Sequence, residues 1–296
     1  MTSRTTLSAV CLGVVAAWPV FAAETESIPN FATDSRTGWV KTPGSDEFIP
    51  PTSGPGPVQD DPTRPYVSHG HPGDGGRPDG QETVKIADIT NPILQPWVAE
   101  QMRKANEAVL AGKIGFTARA RCWPAGVPGF LTYPVFPIYF IQSPKAVLMM
   151  WGGDSQTSLR RVHLNVPHSR NPAPSWYGES VGHYENGDTL VVDTIGFVEH
   201  PLSFVDNYRT PHTKDLHVVE RWKILEGGTW LEVNARIEDH AAFTTPWNVV
   251  QRYRRVDKEG PPWEVGPIKE MVCAETSGDH FDQGLVPIPQ DDTPDF

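Results

Sequence analysis

Residues 179–239 read as two successive β-hairpins, and each carries a polar side chain in a row that is otherwise apolar. The first turns at Asn186-Gly187, between ESVGHYE and DTLVVDT, a pair that tolerates the positive φ a type I′ turn needs at both central positions. A two-residue loop there sets His183 opposite Leu190, with Val181 and Val192 on its face. The second turns at Gly227-Gly228, between LHVVERWKILE and TWLEVNARIED. It pairs Trp222 with Val233, Glu220 with Ala235 and, on the outer face, Lys223 with Glu232. Glu220 then interrupts a face built from Leu216, Val218, Trp222, Ile224, Leu231, Val233, Ala235 and Ile237. A carboxylate in such a row must be paired, protonated or at work.

The same period-two pattern extends in both directions. PIYFIQS, AVLMMW, SLRRVHLN, SVGHYE, TLVVDTI, LHVVERWKIL, TWLEVNARIE, NVVQRYRRV and IKEMVCA are separated by turns or loops, with no helical pattern between them. Strands without intervening helices predict a mainly β fold, an antiparallel meander closed as a barrel over residues 89–275. Strand faces that mix apolar and polar residues are expected where a barrel interior holds a pocket. The tight turns lie at one end of such a meander, so the connections 165–178, 196–213 and 239–246 are expected at the other, forming a mouth.

One helix is predicted over 92–111, with Asn91 as its cap, Pro92 in its first turn and Gly112 at its end. Leu94, Trp97, Val98, Met102, Ala105 and Val109 form its apolar stripe. Residues 23–88, rich in Pro, Gly and Asp, read as an irregular arm, either draped over the core or flexible, and 276–296 as a C-terminal tail. The arm's His69-x-His71 pair reads as a solvated loop before it reads as a metal tether.

The N-terminus predicts export. Arg4 is the only charge before Glu24, residues 7–21 are apolar but too short to span a bilayer, and Val20-Phe21-Ala22 offers a cleavage site that makes 1–22 a signal peptide. Cleavage removes Cys11 and leaves Cys122 and Cys273, which in an oxidising compartment read as one disulfide. The expected location is the periplasm or the exterior, with no membrane insertion after cleavage. The formal net charge of −11 argues against nucleic acid and anionic membrane surfaces as partners. No phosphate loop, dinucleotide fingerprint, nucleophile elbow or zinc-protease motif is present, so no cofactor and no metal is implied. Gly-Glu-Ser180-Val-Gly matches a nucleophile elbow in letters only, because Ser180 opens a hairpin strand.

Candidate chemistry gathers around the barrel. Desolvation would tune Glu220 as a general acid or base, unless an arginine from a neighbouring strand (Arg160, Arg161 or Arg252) pairs with it. His183 is its expected partner in the interior, and His212 the third catalytic candidate. His168 in Pro-His-Ser and His212 in Thr-Pro-His-Thr would line the mouth, beside Trp176, Tyr208, Trp222, Asp239 and Trp247 as binding residues for a planar or apolar ligand. Asp193 is expected to close its strand by accepting backbone hydrogen bonds.

The segments CWPAGVPGF, SPKAVLMMW, RRVHLNVPH, PSWYGESVGHYENGDTLVVDTIGF, YRTPHTKDLHVVERW and FTTPWN resemble a widespread family of exported bacterial proteins without an assigned activity. The strand pattern resembles, more loosely, the lipocalin-like (calycin) barrels. Neither resemblance implies a reaction. The residues themselves point to an exported enzyme using acid-base chemistry of the lyase, isomerase or hydrolase type on a small apolar or aromatic substrate. The alternatives are a non-catalytic binding or carrier protein using the same cavity, and a metal-binding protein built on His163, His168, His183, His212 and His217.

Overall fold

The computed structural model describes residues 28–32, 38–41, 47–65, 85–113, 123–132, 137–151 and 159–256. Residues 1–22, expected as a signal peptide, His69, His71, Cys122, Cys273, the segment IKEMVCA expected as a further strand, and residues 276–296 lie outside the described residues. Nine strands close into one barrel in chain order: β1 Trp39–Lys41, β2 Ile138–Gln142, β3 Ala146–Trp151, β4 Leu159–Leu164, β5 Glu179–Glu185, β6 Thr189–Ile195, β7 His217–Leu225, β8 Trp230–Glu238 and β9 Trp247–Arg255. The strand that closes the ring was hidden in the arm. Trp39–Lys41 pairs with β9 along its length and touches β2 through Trp39 and Ile138. Described parts of the arm are therefore built into the barrel, with Phe31, Phe48 and Val58 buried and Ile49 bridged to Val250.

The meander is not antiparallel throughout. An odd number of strands cannot alternate direction all the way round a closed ring, so one neighbouring pair must run in parallel. That pair is β4 and β5, with Val162 beside Ser180 and Leu164 beside Gly182. Residues 165–178 are consequently a crossover, leaving the tight-turn end of β4 and returning along the outside to the start of β5. Only its last part, around Trp176, reaches the mouth, whereas 196–216 and 239–246 belong there entirely.

Residues of alternate parity fill the interior. Trp39, Phe140, Trp151, Trp222, Trp247 and Tyr253 are each at most 4% exposed, and Phe130 from a short turn at Gly129–Leu131 enters among them. Its ring stacks on Trp151 at 5.0 Å and on Trp222 at 6.1 Å, while the Tyr253 hydroxyl donates to the Leu131 carbonyl at 2.8 Å. Buried aromatic rings in mutual contact fill this part of the interior.

The helix, α1, spans Pro96–Leu110, four residues later than expected at its start. Asn91 accepts from the Ile93 amide in a preceding turn, while Gln95 stands at the N-cap without a side-chain bond and Pro96 occupies the first turn. Val98, Met102 and Val109 face inward as the pattern requires, but Trp97 is 42% exposed and donates its indole N–H to the Ala241 carbonyl. Asn106 takes the inner place instead, bonding both the N–H and the C=O of Ala87 at 3.1 and 3.0 Å. The helix docks on the mouth connection through Gln95 N–H to Ala242 O and Thr244 N–H to Ile93 O. Among the described residues no helix is long and apolar enough to cross a membrane.

Candidate functional site

The second hairpin has the expected register, with Glu220 opposite Ala235, Trp222 opposite Val233 and Lys223 opposite Glu232. The first does not. Asn186 and Gly187 both have positive φ, and the Asp188 amide closes the turn onto Glu185 O, as read from sequence. Glu185 then pairs with Thr189, leaving Asp188 as an extra residue on one strand. This single-residue slip sets His183 opposite Val191 and turns it outward. His183 sits on the outer face, roughly half exposed, and contacts Glu185 at 3.1 Å, so the expected His183–Glu220 couple does not form. Gly182 holds the inward position, where an added Cβ would meet Val191 O at 2.6 Å and the Val162 side chain at 2.9 Å.

Glu220 is fully buried and is held by Arg160 of β4, which lies in the same inner row as Val162 and Leu164. Two bonds join them, Nη1 to Oε1 at 3.0 Å and Nη2 to Oε2 at 2.5 Å. Arg160 also donates from Nε to Ser180 Oγ and from Nη2 to Thr194 Oγ1, and its guanidinium lies over the Phe130 ring at 5.0 Å. The carboxylate thus has both oxygens engaged by a bidentate cation inside the buried core. Ser180, the serine of the elbow-like letters, is a strut of this network, bonded also to Thr194.

The remaining catalytic candidate is differently placed. The connection 196–216 folds back on itself as a miniature hairpin, with Val205 N–H bonded to Thr210 O and Phe204 bridged to Pro211. Its tip is locked by Asp206, whose carboxylate accepts from the amides of Tyr208 and Thr210 and from the Thr210 hydroxyl; burial pushes that carboxyl up. One position further from the tip, the same register sets Ser203 across from His212. Ser203 Oγ and His212 Nε2 are 2.8 Å apart, and His212 Nδ1 lies 2.8 Å from the Thr213 carbonyl. A carbonyl only accepts, so its partners assign the proton of the neutral ring to Nδ1 and leave Nε2 to accept the Ser203 hydroxyl. Burial pushes His212 below the ordinary imidazole range, against the opposing pull of the Thr213 carbonyl, Asp239 and Glu199.

Asp239 does not open into the mouth as a ligand contact. It is buried and accepts from the Thr213 amide at 2.6 Å, the Thr213 hydroxyl, and the Ala241 and Ala242 amides. It thereby fixes the residue whose carbonyl orients His212. Tyr208 is likewise buried, its hydroxyl donating to Asp60 at 3.0 Å, and Trp247 packs edge-on against Phe243 inside the wall. Of the expected binding residues, Trp176 is the one that remains partly exposed at the mouth. Its ring lies 5.6 Å from Trp123 and 5.3 Å from His200, and Trp123 meets His200 edge-on at 4.7 Å. The turn bond from Ser203 N–H to His200 O links this aromatic group directly to the serine.

His168 belongs to the outer wall. Its Nδ1 lies 3.1 Å from Glu179 Oε1 and its Nε2 3.0 Å from Asp193 Oδ1, an oxygen that also meets His217 Nε2 at 2.9 Å. Asp193 therefore serves two histidines in place of the turn amides expected for it. Among the described residues no group of three or more His, Cys, Asp or Glu is arranged to hold a metal ion, and His163 is exposed on the outer face of β4.

No family model, curated protein or solved structure matches this chain.

Ser203 and Trp123 carry no signal of their own in the sequence, whereas His200 falls in a connection expected at the mouth. Ser203 is marked only by its setting in S-F-V-D-N-Y-R-T-P-H, where an Asp-Asn turn between short extended runs sets Ser203 and His212 at matching distances from the tip.

Proposed function

We propose that the protein is an exported enzyme carrying out acid-base chemistry of the hydrolytic type on a small molecule at the barrel mouth. Ser203 is the nucleophile and His212 its base. The observation that carries this reading is the 2.8 Å contact from Ser203 Oγ to a histidine nitrogen whose lone pair is made available by the bond on the other side of the ring. A nucleophile beside a base, with the base oriented by a third group, is the arrangement that activates a hydroxyl. On an ester, the Ser203 oxygen bonds to the acyl carbon as its proton passes to His212 Nε2. That proton then leaves with the departing alcohol, and water reverses the sequence to free the acid. The Trp123, Trp176 and His200 rings favour a substrate with a planar or apolar part. Their partial exposure also supports the second reading, a binding or carrier protein that uses the aromatic group without turnover.

A panel of aryl and alkyl esters tests the proposal. Turnover by the wild type that falls at least about a hundredfold in both Ser203→Ala and His212→Gln, with the fold intact, supports it. Ligand retention without turnover in any of the three proteins favours the carrier reading.

A further inference from the structure

We propose that His168 is a proton-operated latch, its doubly protonated ring clamping the 165–178 crossover to the barrel wall and releasing it on losing one proton. The groups come from four elements. Glu179 of β5 faces Nδ1 at 3.1 Å and Asp193 of β6 faces Nε2 at 3.0 Å. His217 of β7 reaches the same Asp193 oxygen at 2.9 Å, and Glu238 and Arg236 of β8 act on His217 with opposite signs.

A neutral imidazole has one N–H and one lone pair, whereas an ionised carboxylate only accepts. Both carboxylates here are held ionised. The hydroxyl and amide of Ser169 keep Glu179 below its usual range, and the His217 bond does the same for Asp193. Both contacts of His168 are therefore bonds only when the ring carries two protons. Deprotonation sets a lone pair against a carboxylate oxygen at one of them. His217 makes a single contact, which either protonation state with a hydrogen on Nε2 satisfies, so it anchors Asp193 without sharing this constraint.

The clamp holds a segment with sparse backbone pairing. Ser169 N–H bonds to the Glu179 side chain, and the next backbone tie is at Ser175, to Gly196 O. The ring of Trp176 follows immediately, so release of the crossover frees one wall of the aromatic group at the mouth. The latch does not depend on the chemistry proposed for Ser203.

Hydrogen exchange of the full chain at about pH 5 and about pH 9 tests it once intrinsic rates are corrected. The wild type is expected to lose about tenfold protection at the Ser169 and Ser175 amides at the higher pH, the loss of one charge-assisted bond, while the β7–β8 amides keep theirs. His168→Gln, which carries no titrating ring, is expected to show equal protection at the two values. Wild-type protection that does not change with pH, or the same fall in His168→Gln, overturns the proposal.

Discussion

Arg160 of β4 and Glu220 of β7 meet inside the barrel through two hydrogen bonds, with side chains 1% and 0% exposed. Each is the one charged residue in the inner row of its strand, and each satisfies the other. Removing two charges from water costs several kcal/mol per ion, which this geometry offsets only because the remaining donors of Arg160 also find Ser180 and Thr194.

Breaking one side of this pair is expected to act on stability. Glu220→Gln strands a buried guanidinium and should cost about 3–5 kcal/mol, whereas the double replacement Arg160→Met with Glu220→Leu should recover most of that loss. Urea unfolding of the three proteins decides it. A Glu220→Gln protein as stable as the wild type would show that the pair is not a structural bond.

Asn106 offers a smaller, cleaner case. Asn106→Leu keeps the inner face of α1 filled but orphans the buried N–H and C=O of Ala87 that Asn106 satisfies. The expected loss is about 1–3 kcal/mol in a denaturant melt, larger than for Trp97→Leu at the exposed position nearby.

Burial depresses His212, and the sign follows from linkage. Its contribution to stability is present above the unfolded value near 6.5 and is lost as pH falls through the folded one, because the unfolded chain takes up a proton that the native site resists. Stability measured as pH is lowered below about 6.5 should fall less steeply in His212→Gln than in the wild type. The ester hydrolysis proposed for this site should show its acid limb in that same region, since Nε2 must be unprotonated to accept the Ser203 proton.

How far the sequence could be read depended on the local strength of its signals. Alternation and glycine turns were enough to place β2 to β9 and to put Glu220 opposite Ala235. They were not enough at Asp188, where an extra residue after a well-formed turn leaves no mark in the period-two pattern yet reverses the face of His183. β1 was missed because three residues carry no periodicity, and its role comes from the ring they close. The parallel contact of β4 with β5 followed from that ninth strand. Among the candidate residues, Arg160 showed the same signal as Glu220, a charge in an apolar row, and was one of three arginines considered for it. The pairing of Ser203 with His212 depended on a hairpin inside a loop, whose strands are too short to register as alternation.

The most direct measurement is mass mapping of the adduct formed by a serine-directed fluorophosphonate on the full chain. Modification confined to the Ser203 peptide in the wild type, and lost in His212→Gln, is the result expected if His212 activates that hydroxyl. No modification of Ser203 in the wild type, or equal modification with His212 removed, would contradict it.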